Sequence, residues 1–205
     1  MIGWMWFACV SEAAGPSLLP MATVPTPAPG QQVAVFAGGC FWCLESDFDH
    51  LPGVVATTSG YAGGTEPNPT YEQVSSHATH HLEAVHVVFD PAVVDYAKVL
   101  DYFWRHVDPT DAGGQFCDRG ESYRTAIFPL DDAQRKAAEA SKAALDATGK
   151  LPGPIVTPIL PSQTFWPGEQ YHQDFHRTNP GRYEPYRKGC GRDARTAEVW
   201  RNLPR

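Results

Sequence analysis

The strongest constraint on this chain is the run Val33-Ala34-Val35-Phe36-Ala37-Gly38-Gly39-Cys40-Phe41-Trp42-Cys43. It reads as a short apolar strand, a Gly-Gly turn, and a cysteine at the first turn of a helix. The glycines permit a tight turn and leave space above the sulfur. Unpaired N–H groups and the positive helix end favour a thiolate there, lowering a cysteine pKa from ~8.5 toward ~4–7. Cys43 follows three positions on, about one helical turn away. The bland alternative is a pair of buried, inert cysteines, since free Cys is among the most buried residue types. The Gly-Gly turn and the C-x-x-C spacing favour redox or nucleophilic chemistry at Cys40.

The chain has five cysteines, an odd count, and they do not form a recognisable framework of staples. At 205 residues it can bury a substantial core without them, so reactive thiols are favoured over a disulfide scaffold. The net charge of −7 and scattered Lys and Arg residues give no footprint for nucleic acid. Ile2 to Val10 is apolar but short, with no Lys or Arg before it, so it is a poor signal peptide and no membrane span. Residues 23–30, rich in Pro, read as an extended linker. Residues 1–30 are therefore expected to be an N-terminal extension, and 31–205 one domain. A cytoplasmic location is expected, with export to the periplasm as the alternative.

Along that domain, Phe41 to Leu51 has helical spacing and Pro52-Gly53 stops it. Val54 to Tyr61 and His81 to Asp90 read as strands, the second apolar on both phases and so interior. Tyr71 to Val74 is a short turn of helix. Val94 to Val107 is an amphipathic helix, Asp111 to Glu121 a Gly-rich loop, and Ser122 to Leu130 a strand. Asp131-Asp132 starts the clearest helix, with Gly149 just beyond its end. Ile155 to Leu160 is a proline-interrupted edge strand, and Glu169 to Arg177 and Asp193 to Trp200 are helices. Without a regular βαβ repeat, the fold class is α/β or α+β.

Glu83 is the anomaly in the interior strand. A buried carboxyl keeps its proton toward neutral pH and can serve as an acid; on an exposed face it would be ordinary. Tyr71, Tyr123 and Asp118 could orient an oxygen substituent and hold a water, or be core aromatics and a solvated acid. Cys43, Cys117 and Cys190 could regenerate Cys40 through a disulfide, or be inert. His77, His80, His81 and His86 with Cys40 and Cys43 invite a zinc reading, but Phe41-Trp42 between the cysteines and the lack of a second C-x-x-C argue against it. His172 and His176 lie one turn apart without the Glu of a zinc protease motif, and hydrogen bonding is the expected role of His172.

Gly39-Cys40-Phe41-Trp42-Cys43 resembles the signature of the A-type peptide methionine sulfoxide reductases. So do Gly60-Tyr61-Ala62-Gly63-Gly64, Asn68-Pro69-Thr70-Tyr71, His81-Leu82-Glu83-Ala84-Val85, and Asp118-Arg119-Gly120 with Ser122-Tyr123-Arg124. They occur in the family's order and spacing over roughly residues 33 to 190. The resemblance implies an open α/β roll with a mixed central sheet, flanking helices and much coil. It implies reduction of methionine S-sulfoxide, free or in proteins, without metal or organic cofactor. Cys40 would attack the sulfoxide sulfur. Glu83 would protonate the oxygen, which Tyr71 and Tyr123 would hydrogen-bond. Phe41 and Trp42 would hold the methyl group, and Asp118 would position a water or a polar substrate contact. Cys40 would end as a sulfenic acid, condense with a second thiol to a disulfide, and be restored by thioredoxin.

The family often has Gly and Ala on either side of the motif histidine, where this chain has His80 and Leu82. The resolving thiol is expected to be Cys43, with Cys190 as the alternative, because Gly189 and Gly191 would make its segment mobile. A monomer is expected. The competing function is that of a thioredoxin-like disulfide oxidoreductase, suggested by strand, C-x-x-C and helix alone.

Overall fold

A computed structural model describes residues 19–203; the apolar run at residues 2–10 lies outside them. The first strand, β1 (Gln32–Gly38), turns through Gly38-Gly39 into α1 (Phe41–Asp49). Gly39 has φ +80°, and a Cβ there would lie 2.6 Å from Cβ of Gln115, so neither the backbone nor the space admits a side chain. β2 (Val54–Ala62), α2 (Tyr71–Ser75), β3 (Leu82–Phe89) and α3 (Tyr96–Arg105) follow. The short pair β4 (Gly114–Gln115) and β5 (Asp118–Arg119) leads to β6 (Thr125–Ile127) and α4 (Asp132–Ala147). The C-terminal part holds β7 (Trp166–Pro167), α5 (Phe175–Thr178), α6 (Pro180–Cys190) and α7 (Arg192–Trp200).

The sheet runs β6-β1-β3-β2-β7, its named pairs antiparallel, with a parallel bridge from Ile127 to Ile159 at the β6 edge. β3 is central and buried along its whole length. Its alternation sends Val85, Val87 and Phe89 into the main core under α1, α3 and α7, with Phe36, Leu44, Phe48, Phe103 and Trp200. Leu82 and Ala84 point to a smaller cluster on the other face with Val35, Ala126 and Phe128, covered by coil. Glu83 shares the phase of Val85, so it reaches the helix side of the sheet level with the start of α1. Helix caps agree with the residues present: Asp95 Oδ1 accepts the Lys98 N–H at 2.8 Å, and Asp131 Oδ1 the Gln134 N–H at 2.8 Å.

Four local expectations are revised. Residues 155–160 form a single bridge rather than a strand, because Pro158 and Pro161 offer no N–H; the segment still lies along the β6 edge, where Ile127 N–H donates to Pro158 O. The expected helix at 169–177 is a 3-10 turn over Gln170–His172 followed by α5, broken at Asp174 with φ +50°. The Asp174 N–H donates to Glu45 Oε2 at 3.1 Å instead of continuing a helix. Helix α6, with two prolines and two glycines, has no apolar stripe to betray it. Its last residue is Cys190, disulfide-bonded to Cys117, so the glycine-flanked segment is a tied helix end rather than a mobile arm. Residues 20–22 are not a free tether: Ala22 N–H donates to Gly168 O at 2.8 Å and Gln170 N–H to Pro20 O at 2.7 Å. Among the described residues no helix is long and apolar enough to cross a membrane.

Candidate active site

Cys40 is the residue immediately before α1 and is 6 % exposed. The first N–H of the helix is not free for it, because the Phe41 N–H donates to Glu83 Oε2 at 2.9 Å. Burial pushes the Cys40 thiol up, and the neighbouring Cys43 and Glu83 push in the same direction. Cys43 goes the other way: the hydrogen bond from Cys40 lowers it against its own burial, helped by Arg192 and Arg187. The expectation of a resting thiolate at Cys40 is therefore corrected. Cys40 keeps its proton, since desolvation outweighs a helix end whose first N–H is already used.

Glu83 is 2 % exposed, and burial raises its carboxyl from 4.5 to about 8 against the opposing Phe41 hydrogen bond. Oε2 is occupied by that N–H, so Oε1 is the oxygen left to carry a proton toward a substrate. A carboxylic acid neutral at pH 7 beside a buried thiol can act as a general acid. Tyr71 and Tyr123 are half-buried next to it; burial and the neighbouring Glu83 push Tyr71 up to about 12 and Tyr123 higher, so both remain donors. Asp118, half-buried, is close enough to Glu83 and Tyr123 to raise both.

The aromatics form a wall. Phe41 packs with Tyr71 at 6.4 Å between ring centroids, Tyr61 at 5.9 Å and His172 at 4.8 Å. Trp42 stacks on Phe175 at 3.7 Å, nearly parallel, and donates from Nε1 to His172 Nδ1 at 3.0 Å. That bond makes Nδ1 the acceptor and places the ring proton on Nε2. Burial lowers His172 to about 4, so it is neutral and serves the hydrogen-bonding role expected of it.

All the residues singled out around Cys40 in the sequence come together. Several partners were not legible there. Glu169, 4 % exposed, receives Tyr61 Oη at 2.7 Å on Oε2 and the Tyr71 N–H at 2.8 Å on Oε1, fixing the start of α2. Tyr186 donates from Oη to Asp118 Oδ2 at 2.6 Å. Arg187 and Arg192 meet Asp47 at 2.8 and 3.3 Å behind Cys43. Cys190, the alternative resolving thiol, is joined to Cys117, leaving Cys40 and Cys43 as the free thiols among the described residues. The histidines that invited a zinc reading do not gather on Cys40: His80 meets Glu121 and His81 lies near Glu66. Among the described residues the one cluster with ligand-like spacing is Cys117, Asp118 and Cys190, whose two sulfurs are bonded to each other.

Residues 32–203 match the family described as peptide methionine sulfoxide reductase. The chain is 52% identical over 170 residues to peptide methionine sulfoxide reductase MsrA of Bacillus licheniformis, covering 83% of this chain and 94% of that protein. It is 51% identical to that of Bacillus subtilis, covering 83% and 96%. Among solved structures, methionine sulfoxide reductase A of Corynebacterium diphtheriae superposes with a TM-score of 0.66 at 34% identity, over 75% of this chain and 77% of that one. Reduced Mxr1 of Saccharomyces cerevisiae gives 0.68 at 28% identity, over 76% and 90%. These matches displace the thioredoxin-like alternative suggested by the C-x-x-C alone. With a buried thiol, a protonated carboxyl and an aromatic wall in one place, the chain belongs to the peptide methionine sulfoxide reductase family and carries out thiol-dependent reduction of methionine sulfoxide.

Proposed function

We propose that Cys40 attacks the sulfur of a methionine S-sulfoxide, free or in an oxidised protein, with Glu83 as the acid. The supporting observation is Glu83 itself, held on the Phe41 N–H at 2.9 Å and kept protonated up to about pH 8 by burial. Sulfoxide oxygen is a poor leaving group until it is protonated. Glu83 Oε1 supplies that proton while Tyr71 and Tyr123 hydrogen-bond the oxygen. Phe41 and Trp42 receive the methyl group. Asp118 Oδ1, with Oδ2 taken by Tyr186, is left for a water or a polar substrate contact.

The sulfur–oxygen bond then breaks. Methionine leaves as the thioether, and the oxygen passes to Cys40 as a sulfenic acid. Two electrons move from the Cys40 sulfur to the substrate sulfur. Cys43, lowered toward thiolate by the adjacent Cys40 and by Arg192 and Arg187, attacks the sulfenic sulfur; water departs and a Cys40–Cys43 disulfide remains. A dithiol protein of the thioredoxin class restores the pair by exchange, and the enzyme works as a monomer. Glu83→Gln, which preserves the acceptor for Phe41 N–H but has no acidic proton, is the test. Methionine formation in a single turnover at pH 7 should drop about 10²–10³-fold. An undiminished rate removes Glu83 as the donor.

A further inference from the structure

Glu45, on α1, is a buried carboxyl that the reaction does not use; it is 1 % exposed. Burial, with Asp49 and Asp174 nearby, raises it from 4.5 to about 8, so it is an uncharged acid at pH 7. Trp42, Glu45 and Asp49 are spaced by three and then four positions, which puts them on one face of α1. All three meet the same short stretch of chain. The Trp42 ring stacks on Phe175 at 3.7 Å, and Glu45 Oε2 accepts the Asp174 N–H at 3.1 Å. Asp49 Oδ2 meets His176 Nε2 at 3.3 Å and Arg177 Nη2 at 3.0 Å.

That stretch does not hold its own shape. Helix α5 is a single turn of four residues, far below the length at which a helix stands alone in water. It begins at Asp174 with φ +50°, a left-handed conformation uncommon for residues other than glycine. Its place is therefore set by what surrounds it. From the sheet side, Gln173 Oε1 accepts the Ser59 N–H at 2.9 Å while Nε2 donates to Ser59 O at 3.0 Å. From the helix side the hold is Glu45 and Asp49. Asp49 is itself anchored to β2, its Oδ1 accepting from Thr57 Oγ1 at 2.7 Å. Phe175 stands in the chain between Asp174 and His176, the residues that α1 grips, and its ring is the one that lies flat against Trp42.

We propose that Glu45, with Asp49 a turn further on, is a positioning residue for the substrate pocket. The two acids clamp residues 174–177 onto α1 and so hold Phe175 against Trp42, which fixes the wall that receives the sulfoxide methyl group. This rests on the assignment of Trp42 to that wall. Glu45 takes no part in bond making and acts through the Phe175 ring. The role asks for an acceptor rather than a charge: a protonated carboxyl offers its carbonyl oxygen to the Asp174 N–H, and an amide of the same shape does too. A leucine offers nothing and leaves that N–H unpaired.

The test uses the intact enzyme and L-methionine S-sulfoxide, with single-turnover methionine formation at pH 7 followed against sulfoxide concentration. Glu45→Leu should raise the half-saturating concentration about tenfold and change the limiting rate less than about threefold, since acid and nucleophile are untouched. Glu45→Gln should restore the wild-type value. Phe175→Leu should raise it at least as much as Glu45→Leu, and the double variant should be little worse than Phe175→Leu alone, because both act through one ring. Arg177→Ala, at an exposed side chain that meets Asp49, should raise it about twofold and carries the test if Glu45→Leu does not fold. Unchanged binding in Glu45→Leu, or in Arg177→Ala where Glu45→Leu does not fold, overturns the clamp. So do a Glu45→Gln variant as weak as Glu45→Leu, losses from Glu45→Leu and Phe175→Leu that multiply, and a limiting rate that falls in step with binding. Unchanged binding in Trp42→Leu is a different failure: it removes Trp42 from the methyl pocket, and the purpose of the clamp with it.

Discussion

The Glu83 carboxylate oxygen Oε2 accepts the Phe41 N–H at 2.9 Å, joining the central strand of the sheet to the first residue of α1. One hydrogen bond thereby sets two properties. It fixes the acid beside Cys40, and it takes up the first of the helix-end N–H groups that would favour a Cys40 thiolate.

A pH profile follows from this. Glu83 must be protonated to act, and its carboxyl ionises at about 8. Single-turnover methionine formation should therefore fall as pH rises through about 8, and the descending limb should be missing from Glu83→Gln. Rapid-quench measurement between pH 6 and 10 checks both.

Trp42 is positioned from two sides, by the Phe175 stack and by the His172 acceptor. His172→Phe retains the bulk but leaves the Trp42 N–H unpaired, at a cost of about 1–3 kcal/mol. We expect a lower urea midpoint, together with a KM for sulfoxide raised several-fold and a smaller change in kcat. Equal losses in kcat and kcat/KM would show that Trp42 does more than hold the substrate.

How much of this was legible in the sequence depended on range. Cys40 stands out by its local pattern, and the β3 alternation already separated Glu83 from Leu82, whereas Tyr71, Tyr123 and Asp118 were assigned only through the family resemblance of the short runs that hold them. Residues that act across the fold left no such mark. Glu169 reaches Tyr61 over 108 positions and His172 reaches Trp42 over 130. Cys117 and Cys190 are 73 apart, and each was read as a possible partner of Cys40 rather than of the other. Helix α6 escaped notice because its prolines and glycines mask it, and Tyr186 escaped with it. The reading of Cys40 as a ready thiolate failed for another reason: a helix N-terminus activates a thiol only where its N–H groups are free.

The Cys117–Cys190 disulfide closes a loop across a separation of 73 residues. Chain-entropy estimates give a constraint of this length about 4 kcal/mol. Reduction of the bond in the full chain should lower stability by about 2–4 kcal/mol, read as a lower midpoint in urea with and without reductant. The Cys117→Ser/Cys190→Ser variant should show the lower midpoint in both conditions.

The attack of Cys40 on sulfoxide is tested most directly in Cys43→Ser, where the sulfenic acid has lost its resolving partner. One round of reaction with methionine sulfoxide in the presence of dimedone should yield one equivalent of methionine and a dimedone adduct mapped to Cys40, with no further turnover on adding thioredoxin. An adduct mapped elsewhere, or methionine formed at an unchanged rate by Cys40→Ser, would contradict the assignment.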